Sequence, residues 1–437
     1  MPNDSESATK HPKRLLSLIK CVAFVIRSKA RGKKVIVFEL SMLGLLPYIL
    51  PLIREVVRLK HVSVVLAVTG DFTSTSKDLA PLMDDVYDRL FLTTKTEVSA
   101  VSAFLGIDLF ITSEQFRGGL PGVYSISIFH GQPSKGITFT KEVLSSFDAF
   151  FLFGPLHSLA LQKFQDKSRD SLLQPPEIFE VGYTKLDDLL NGKYSRQKVL
   201  QELALGNDRK TILYAPAFNE YATLRTIGFQ LIERLKGIEG ANVIIKLAPD
   251  SINNPSNFYS TGGVNWKQEL RKVENDNVRL IDDLDINPYL IASDVMVTDV
   301  SGVAYDFLLL DKPVVFYDCP DFYSKYVPRY SPELTIEECL SDDTINAGRN
   351  YGLVVHDLDE LRTAVTHSLD HPSELSHNRK GLGSLLLYNP GKATEVAVQT
   401  IEKLLEDRVK SRRPYKRTGL IRMAVSFLRL YCRPVSS

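Results

Sequence analysis

The chemistry-bearing residues with the clearest spacing lie in residues 291–320, IASDVMVTDVSGVAYDFLLLDKPVVFYDCP. Val295, Met296 and Val297 form an apolar run without alternation, as expected of a strand covered on both faces. Thr298, Asp299, Ser301 and Gly302 then supply turn chemistry. Residues 303–310 are helix-compatible, Lys312 and Pro313 stop them, and Val314–Tyr317 is the next apolar strand. Strand, short helix and strand in that order predict a right-handed parallel unit. In an open parallel sheet, ligands sit beyond the carboxyl ends of the strands, where Asp299, Ser301 and Gly302 fall. The first N–H groups of the helix suit a phosphate, Gly302 lets a ligand approach the backbone, and Ser301 can cap the helix or offer its hydroxyl. The same residues suit a capped helix in an ordinary α/β protein equally well.

Such a turn needs a sheet to carry it. Strands are predicted at Lys34–Leu40, Val62–Val68, 88–92, Leu109–Thr112, 124–129, 149–153 and 178–181, with helices at 43–59, 98–105 and 156–164. This alternation predicts a doubly wound parallel sheet. The charged stretch 191–209, with a helix at 196–205, reads as an interdomain connection. A second series follows, with strands at 211–214, 243–247, Val278–Ile281, 295–297, Val314–Tyr317 and Leu353–Val355. Its helices are at 227–235, at 288–292 with Asn287 as cap, at 358–369 and at 393–405. The organisation expected is a basic N-terminal arm or amphipathic helix (1–33), a first Rossmann-like domain (34–190), the connection (191–209), a second Rossmann-like domain (210–405) and a basic amphipathic tail (406–437). Two such domains facing a central cleft suit a ligand gripped from both sides. The loops at strand ends that would face it are 130–135, 182–185, 215–219, 247–251 and 299–302.

At 437 residues the chain exceeds one typical core. Its net charge of +1 is neither nucleic-acid-like nor acidic. Cys21, Cys319, Cys339 and Cys432 lie far apart without a CxxC, which argues for a reducing compartment and against a disulfide framework or a zinc site. Basic residues crowd both ends. Residues 1–9 are polar and predicted disordered, and 15–26 suit a helix with Lys13, Ser17, Lys20 and Arg27 roughly on one side. In 420–431 apolar residues dominate, while Arg422, Ser426, Arg429 and Arg433 recur at helical spacing, as in a helix lying in a membrane interface. The 408–417 cluster would add about 1 kcal/mol of attraction to anionic lipid per charge near the surface. No apolar run spans a bilayer, and a signal peptide is not expected. An anionic membrane surface is therefore the expected partner, rather than nucleic acid.

Five short motifs occur in order: FHGQPSKG at 129–136, VGYTKLDDL at 181–189, LYAPAF at 213–218, IIKLAP at 244–249, and YLIASDVMVTDVSGVAYDFLLLDKPVVFY at 289–317. Together they resemble the CDP-glycerol glycerophosphotransferase family, the primases and polymerases of teichoic-acid-type polymers, and the resemblance covers roughly 34–405. The resemblance implies a GT-B fold, with 34–190 as the acceptor domain and 210–405 as the nucleotide-donor domain. It implies transfer of glycerol phosphate, or a related polyol or sugar phosphate, from a CDP-activated donor to a lipid-linked or glycan acceptor at the cytoplasmic face of the membrane. No metal or other cofactor is implied. Attack of an acceptor hydroxyl on the donor's β-phosphorus needs a base at the hydroxyl and positive charge around the pyrophosphate.

On this resemblance His130 is the general base, in an acceptor loop formed with Gly131, Gln132 and Gly136. Lys135 holds a phosphate as a point charge, or is a solvated loop lysine. Tyr214, Ala215 and Pro216 match the segment under the donor, with packing the expected role of Tyr214. Lys246, Asp299, Ser301 and Gly302 fall at the donor phosphates. Asp306 holds a donor hydroxyl or favours its helix N-terminus. Two positions depart from the family. Gly302 replaces the second Ser of Thr-Asp-x-Ser-Ser, keeping the amide and losing a hydroxyl. Ala248 replaces the His of Lys-x-His-Pro, and alanine has no side-chain donor. Either Lys246 or another group then covers the leaving phosphate, or turnover is slow, or the chemistry is lost. Two alternatives stand beside this reading: a GT-B glycosyltransferase or UDP-sugar epimerase-like enzyme, and a non-catalytic nucleotide-binding scaffold.

Overall fold

The computed structural model describes residues 4–69, 72–83, 85–116, 118–120, 122–136, 138–167 and 175–410. Among these residues the strands form two sheets, of seven and six strands. The first contains β1 (Lys34–Leu40), β2 (Val62–Val68), β3 (Leu90–Thr94), β4 (Leu109–Thr112), β5 (Tyr124–Ser127), β6 (Ala149–Leu152) and β7 (Glu177–Glu180), in the order β3-β2-β1-β4-β5-β6-β7. The second contains β8 (Lys210–Tyr214), β9 (Ala241–Lys246), β10 (Val278–Ile281), β11 (Val295–Thr298), β12 (Val314–Tyr317) and β13 (Leu353–Val355), in the order β10-β9-β8-β11-β12-β13. Every pairing in both sheets is parallel. Each sheet reverses its order beside its first strand, which opens a crevice at the carboxyl ends of the strands.

Strand β1 shows why its apolar run carries no alternation. Val35 and Val37 face one layer, with Leu18, Cys21 and Val25 of helix Asp4–Ala30 and Val98 and Val101 of helix Lys95–Leu105. Ile36, Phe38 and Leu40 face the opposite layer, with Ile49, Leu52 and Ile53 of helix Leu46–Val56. Both faces are dry, so both carry apolar side chains.

The core is continuous across the halves. Phe129, Phe150 and Leu186 of the first share one buried cluster with Leu213, Met296 and Ala304 of the second. This common core sets the carboxyl ends of the two sheets against one another.

Several boundaries differ from the sequence reading. The polar residues from Asp4 onward are helical rather than disordered, and helix Asp4–Ala30 packs on the first sheet, so 1–33 is not a free arm. Helix Arg196–Glu202 is anchored to the second half, with Arg196 donating to the carbonyls of Ala292 and Arg209, so that half begins before 210. Helix Ala393–Lys410 crosses back and buries Ala397, Ile401, Leu404 and Leu405 in the first domain. The donor domain therefore ends before 405, because the apolar face of this helix covers the first sheet. Residue Asn287 is the first residue of helix Asn287–Ala292, not its cap. The tail expected at 406–437 lies, beyond Lys410, outside the described residues.

Candidate active site

A cavity of about 390 Å³ opens between the carboxyl ends of the two sheets. From the first half it is lined by His130, Gly131, Gln132 and Lys135. From the second come Ala215, Pro216, Lys246, Ala248, Ser301, Gly302 and Asp306. Residues read from separate motifs thus meet in one place.

His130 follows β5 and is delivered by an unusual backbone. Phe129 has φ +53°, a left-handed conformation that bulky residues avoid. Packing holds it there: its ring lies 5.3 Å from Phe150 and 4.9 Å from His157, and it is 1% exposed. The Nδ1 of His130 is 2.8 Å from the Ser113 carbonyl oxygen. A carbonyl only accepts, so Nδ1 carries the hydrogen, and in the neutral ring the lone pair then lies on Nε2. Next to it, Gln132 donates from Nε2 to the Leu386 carbonyl at 2.7 Å, while its buried Oε1 has no partner among the described residues.

Three lysines line the cavity. Lys185, in the turn after β7, is 5% exposed, with Nζ 2.9 Å from Asp306 Oδ2 of the other half. The ammonium also lies 5.0 Å and 5.7 Å from the ring centres of Tyr48 and Tyr183. Burial opposes its charge, but the Asp306 carboxylate, aided by Tyr48, outweighs burial and holds the lysine pKa above its ordinary value. Lys246 ends β9, is 4% exposed and donates to the Leu247 carbonyl at 3.0 Å. Burial lowers its pKa to about 8, against a smaller opposing effect of Asp283. Lys135 lies 5.4 Å from the Phe218 ring centre, and burial lowers its pKa too, with Asp299 opposing. Among the described lining residues Asp306 is the only carboxylate, and Lys185 already engages it. The cavity therefore has positive charge in excess, as a diphosphate site requires.

The turn before helix Val303–Leu308 lies across from His130, but its parts act differently from expectation. Gly302, not Ser301, is the N-cap residue, which leaves the Ser301 hydroxyl outside the cap. A Cβ on Gly302 would sit 3.0 Å from Ser134 Oγ, so glycine here lets the two facing loops approach. Asp299 does not line the cavity. Its Oδ1 accepts from the Ala217 amide at 2.8 Å, and its Oδ2 accepts from the Thr223 amide at 2.8 Å and hydroxyl at 2.6 Å. A phosphate-binding role for Asp299 is corrected accordingly: a carboxylate would repel phosphate, and this one pins the loop after β8. Tyr214 is fully buried, with its hydroxyl 3.0 Å from that of Thr223, and its role is packing. Gly136 also lies off the cavity, with φ +70° in a turn beside Ile345.

Sequence reasoning assigned no role to Lys185, Tyr48 or Tyr183. Lys185 and Tyr183 sit in the VGYTKLDDL motif at a strand end, which was a usable signal. Tyr48 lies within a helix and gave none.

Parallel-sheet halves with a cationic cleft between them define the class: a GT-B-like α/β protein. The solved wall teichoic acid polymerase TagF superposes with a TM-score of 0.60 at 13% identity, over 92% of this chain and 99% of that one. A UDP-GlcNAc 2-epimerase from Neisseria meningitidis, bound to UDP-GlcNAc, superposes with a TM-score of 0.53 at 15% identity, over 85% and 100%.

Residues 173–330 match the family described as CDP-glycerol:poly(glycerophosphate) glycerophosphotransferase. The teichoic acid glycerol-phosphate primase of Bacillus subtilis is 32% identical over 114 residues, covering 25% of this chain and 26% of the primase. The teichoic acid ribitol-phosphate polymerase TarK of Staphylococcus aureus is 25% identical over 154 residues, covering 33% and 28%. The chain thus matches about a quarter of the length of these curated relatives.

Proposed function

We propose that the protein is a transferase of cell-wall polymer synthesis. It moves glycerol phosphate, or a related polyol or sugar phosphate, from a CDP-activated donor to a glycan or lipid-linked acceptor at the cytoplasmic membrane face. One observation carries this reading: His130, with Nε2 left basic by the Ser113 hydrogen bond, shares one cavity with Lys135, Lys185, Lys246 and the Ser301–Gly302 turn.

The acceptor hydroxyl attacks the β-phosphorus, and His130 Nε2 takes its proton as the new P–O bond forms. The bond between β-phosphorus and bridging oxygen breaks, and CMP leaves with the electron pair. Lys246 and Lys135 stabilise charge on the phosphates, with Lys185 held charged nearby by Asp306. Gln132 Oε1, unpaired and buried, suits the acceptor hydroxyl before its proton is lost. Ala248 lines the cavity where the family has histidine, so Lys246 is the group that faces the leaving phosphate.

Purified protein with CDP-glycerol and a panel of glycan or lipid-linked acceptors should release CMP. Absence of CMP release with every acceptor, together with absence of CDP-glycerol binding, would sink the reading. A second reading, a UDP-sugar enzyme, draws on the fold shared with the UDP-GlcNAc-bound epimerase. Stabilisation by uridine over cytidine diphosphates in a thermal-shift screen would favour it.

A further inference from the structure

A second cavity, of about 410 Å³, lies at the opposite end of the first sheet from the cleft. The end of helix Asp4–Ala30, the chain after helix Leu46–Val56, and the starts of β2 and β3 enclose it. Its walls carry Arg27, Arg31, Lys33, Arg58, Lys60 and Arg89, and no acidic residue is among the described residues lining it. Of the carboxylates on the flanking segments, Glu55 pairs with Arg58 and Asp108 with Lys29 and Lys34, while Asp88, beside Arg89, lies outside the lining and makes no ion pair among the described residues. Among the described residues the other five cations have no carboxylate within ion-pair distance. Five unpaired like charges around one hollow repel each other. An anion resolves this.

The helix beside the hollow narrows the choice of anion. Its buried face is Leu18, Cys21, Val25 and Ser28. Outside this face, Leu15, Leu16, Ile19 and Ile26 are 52%, 53%, 53% and 51% exposed. At about 100° per residue, Leu15, Ile19 and Ile26 fall within an arc roughly 40° wide. Lys20, Arg27 and Arg31 fall within the neighbouring arc, also roughly 40° wide, on the side of the cavity. An exposed apolar band beside a basic band is the pattern of a helix lying in a membrane interface. A soluble phosphodiester polymer would use the cations but leave the apolar band unexplained.

We propose that this cavity binds the phosphate headgroup of an anionic phospholipid while the outer face of helix Asp4–Ala30 sits at the acyl boundary. The inference deepens the membrane-surface part of the function above and is independent of the transfer reaction. It differs from the sequence-based expectation, which assigned the membrane contact to the tail.

The full chain is mixed with neutral phosphatidylcholine vesicles and with vesicles containing phosphatidylglycerol, and co-sedimentation is measured. Arg27→Gln/Arg31→Gln/Arg89→Gln should weaken binding to the anionic vesicles about 100-fold, from about fivefold per interfacial cation. Ile19→Ser/Ile26→Ser should weaken it as well, and these exposed positions leave the core untouched. Both variants should keep the native melting temperature and native CMP release with a soluble acceptor. Vesicle binding unchanged in both variants, or lost only on deleting 411–437, overturns the proposal. Loss of binding to a soluble glycerophosphate polymer with vesicle binding intact also overturns it and assigns the cavity to polymer. Vesicle binding that follows the proposal with no transfer activity leaves this site standing and removes the reaction alone.

Discussion

Replacing Asp306 with Asn tests the join between the two halves. In the native chain Lys185 and Asp306 are 2.9 Å apart, with side chains only 4% and 6% exposed. Removing one partner of a buried pair leaves an uncompensated charge, at a cost of about 3–5 kcal/mol. The remaining favourable contacts of the ammonium are the ring faces of Tyr48 and Tyr183, whose cation–π attraction is about 2 kcal/mol when desolvated. They are present with or without Asp306, so they do not replace it. Asp306→Asn should therefore lose about 3–5 kcal/mol in urea unfolding, whereas Lys185→Met/Asp306→Leu should recover most of this by burying apolar groups of similar volume. The function adds a second signature. A bound diphosphate can take the place of the missing carboxylate, so CDP should stabilise Asp306→Asn more than it stabilises the native chain. A loss below about 1 kcal/mol in the single variant, or a double variant as costly as both singles summed, would refute this reasoning.

Other outcomes follow from the same cavity. Folded Lys246 has a pKa near 8, below the unfolded lysine value of about 10.4, so the folded state sheds its proton first and stability rises with pH between these values. Lys246→Met should flatten that rise. A bound diphosphate favours the charged lysine, so CDP binding at about pH 9 should take up a proton in the native chain and not in the variant, read by calorimetry in buffers of different ionisation enthalpy. Asp299→Asn should cost about 2–3 kcal/mol in thermal unfolding, because Asn cannot match a carboxylate accepting from two amides and a hydroxyl, and should change CDP affinity less than Lys246→Met does. Ala248→His places a donor on the cavity wall and should raise CMP release by about 10-fold or more.

The strands were legible because both faces of each sheet are covered, which turns them into apolar runs such as KVIVFEL and VSVVLAV. β1, β2 and β12 fall where the sequence places them. Helix Ser376–Leu386 was not legible: its sequence, SHNRKGLGSLL, contains two glycines and no clear apolar stripe. It is held by tertiary contacts, chiefly Arg379, which is 1% exposed and donates to Asp311 and to the Pro372 and Glu374 carbonyls. The crossing of helix Ala393–Lys410 to the first domain was hidden for a related reason, since an amphipathic pattern says that a face is covered but not by what.

At the site, the strand-end rule placed the loops correctly around the cleft. It could not pair Lys185 with Asp306, which are 121 positions apart and meet only because the halves close. Nor could it separate Asp299 from Ser301. Both sit in one turn, yet one points beneath the loop after β8 and the other lines the cavity.

The central claim is that His130 takes the acceptor's proton across a cationic cleft. It is tested most directly by CMP release from CDP-glycerol in the native chain and in His130→Ala, with CDP affinity measured in parallel. The account predicts release falling by about 100- to 10,000-fold, with CDP affinity held within about threefold. Equal release by both proteins would contradict it.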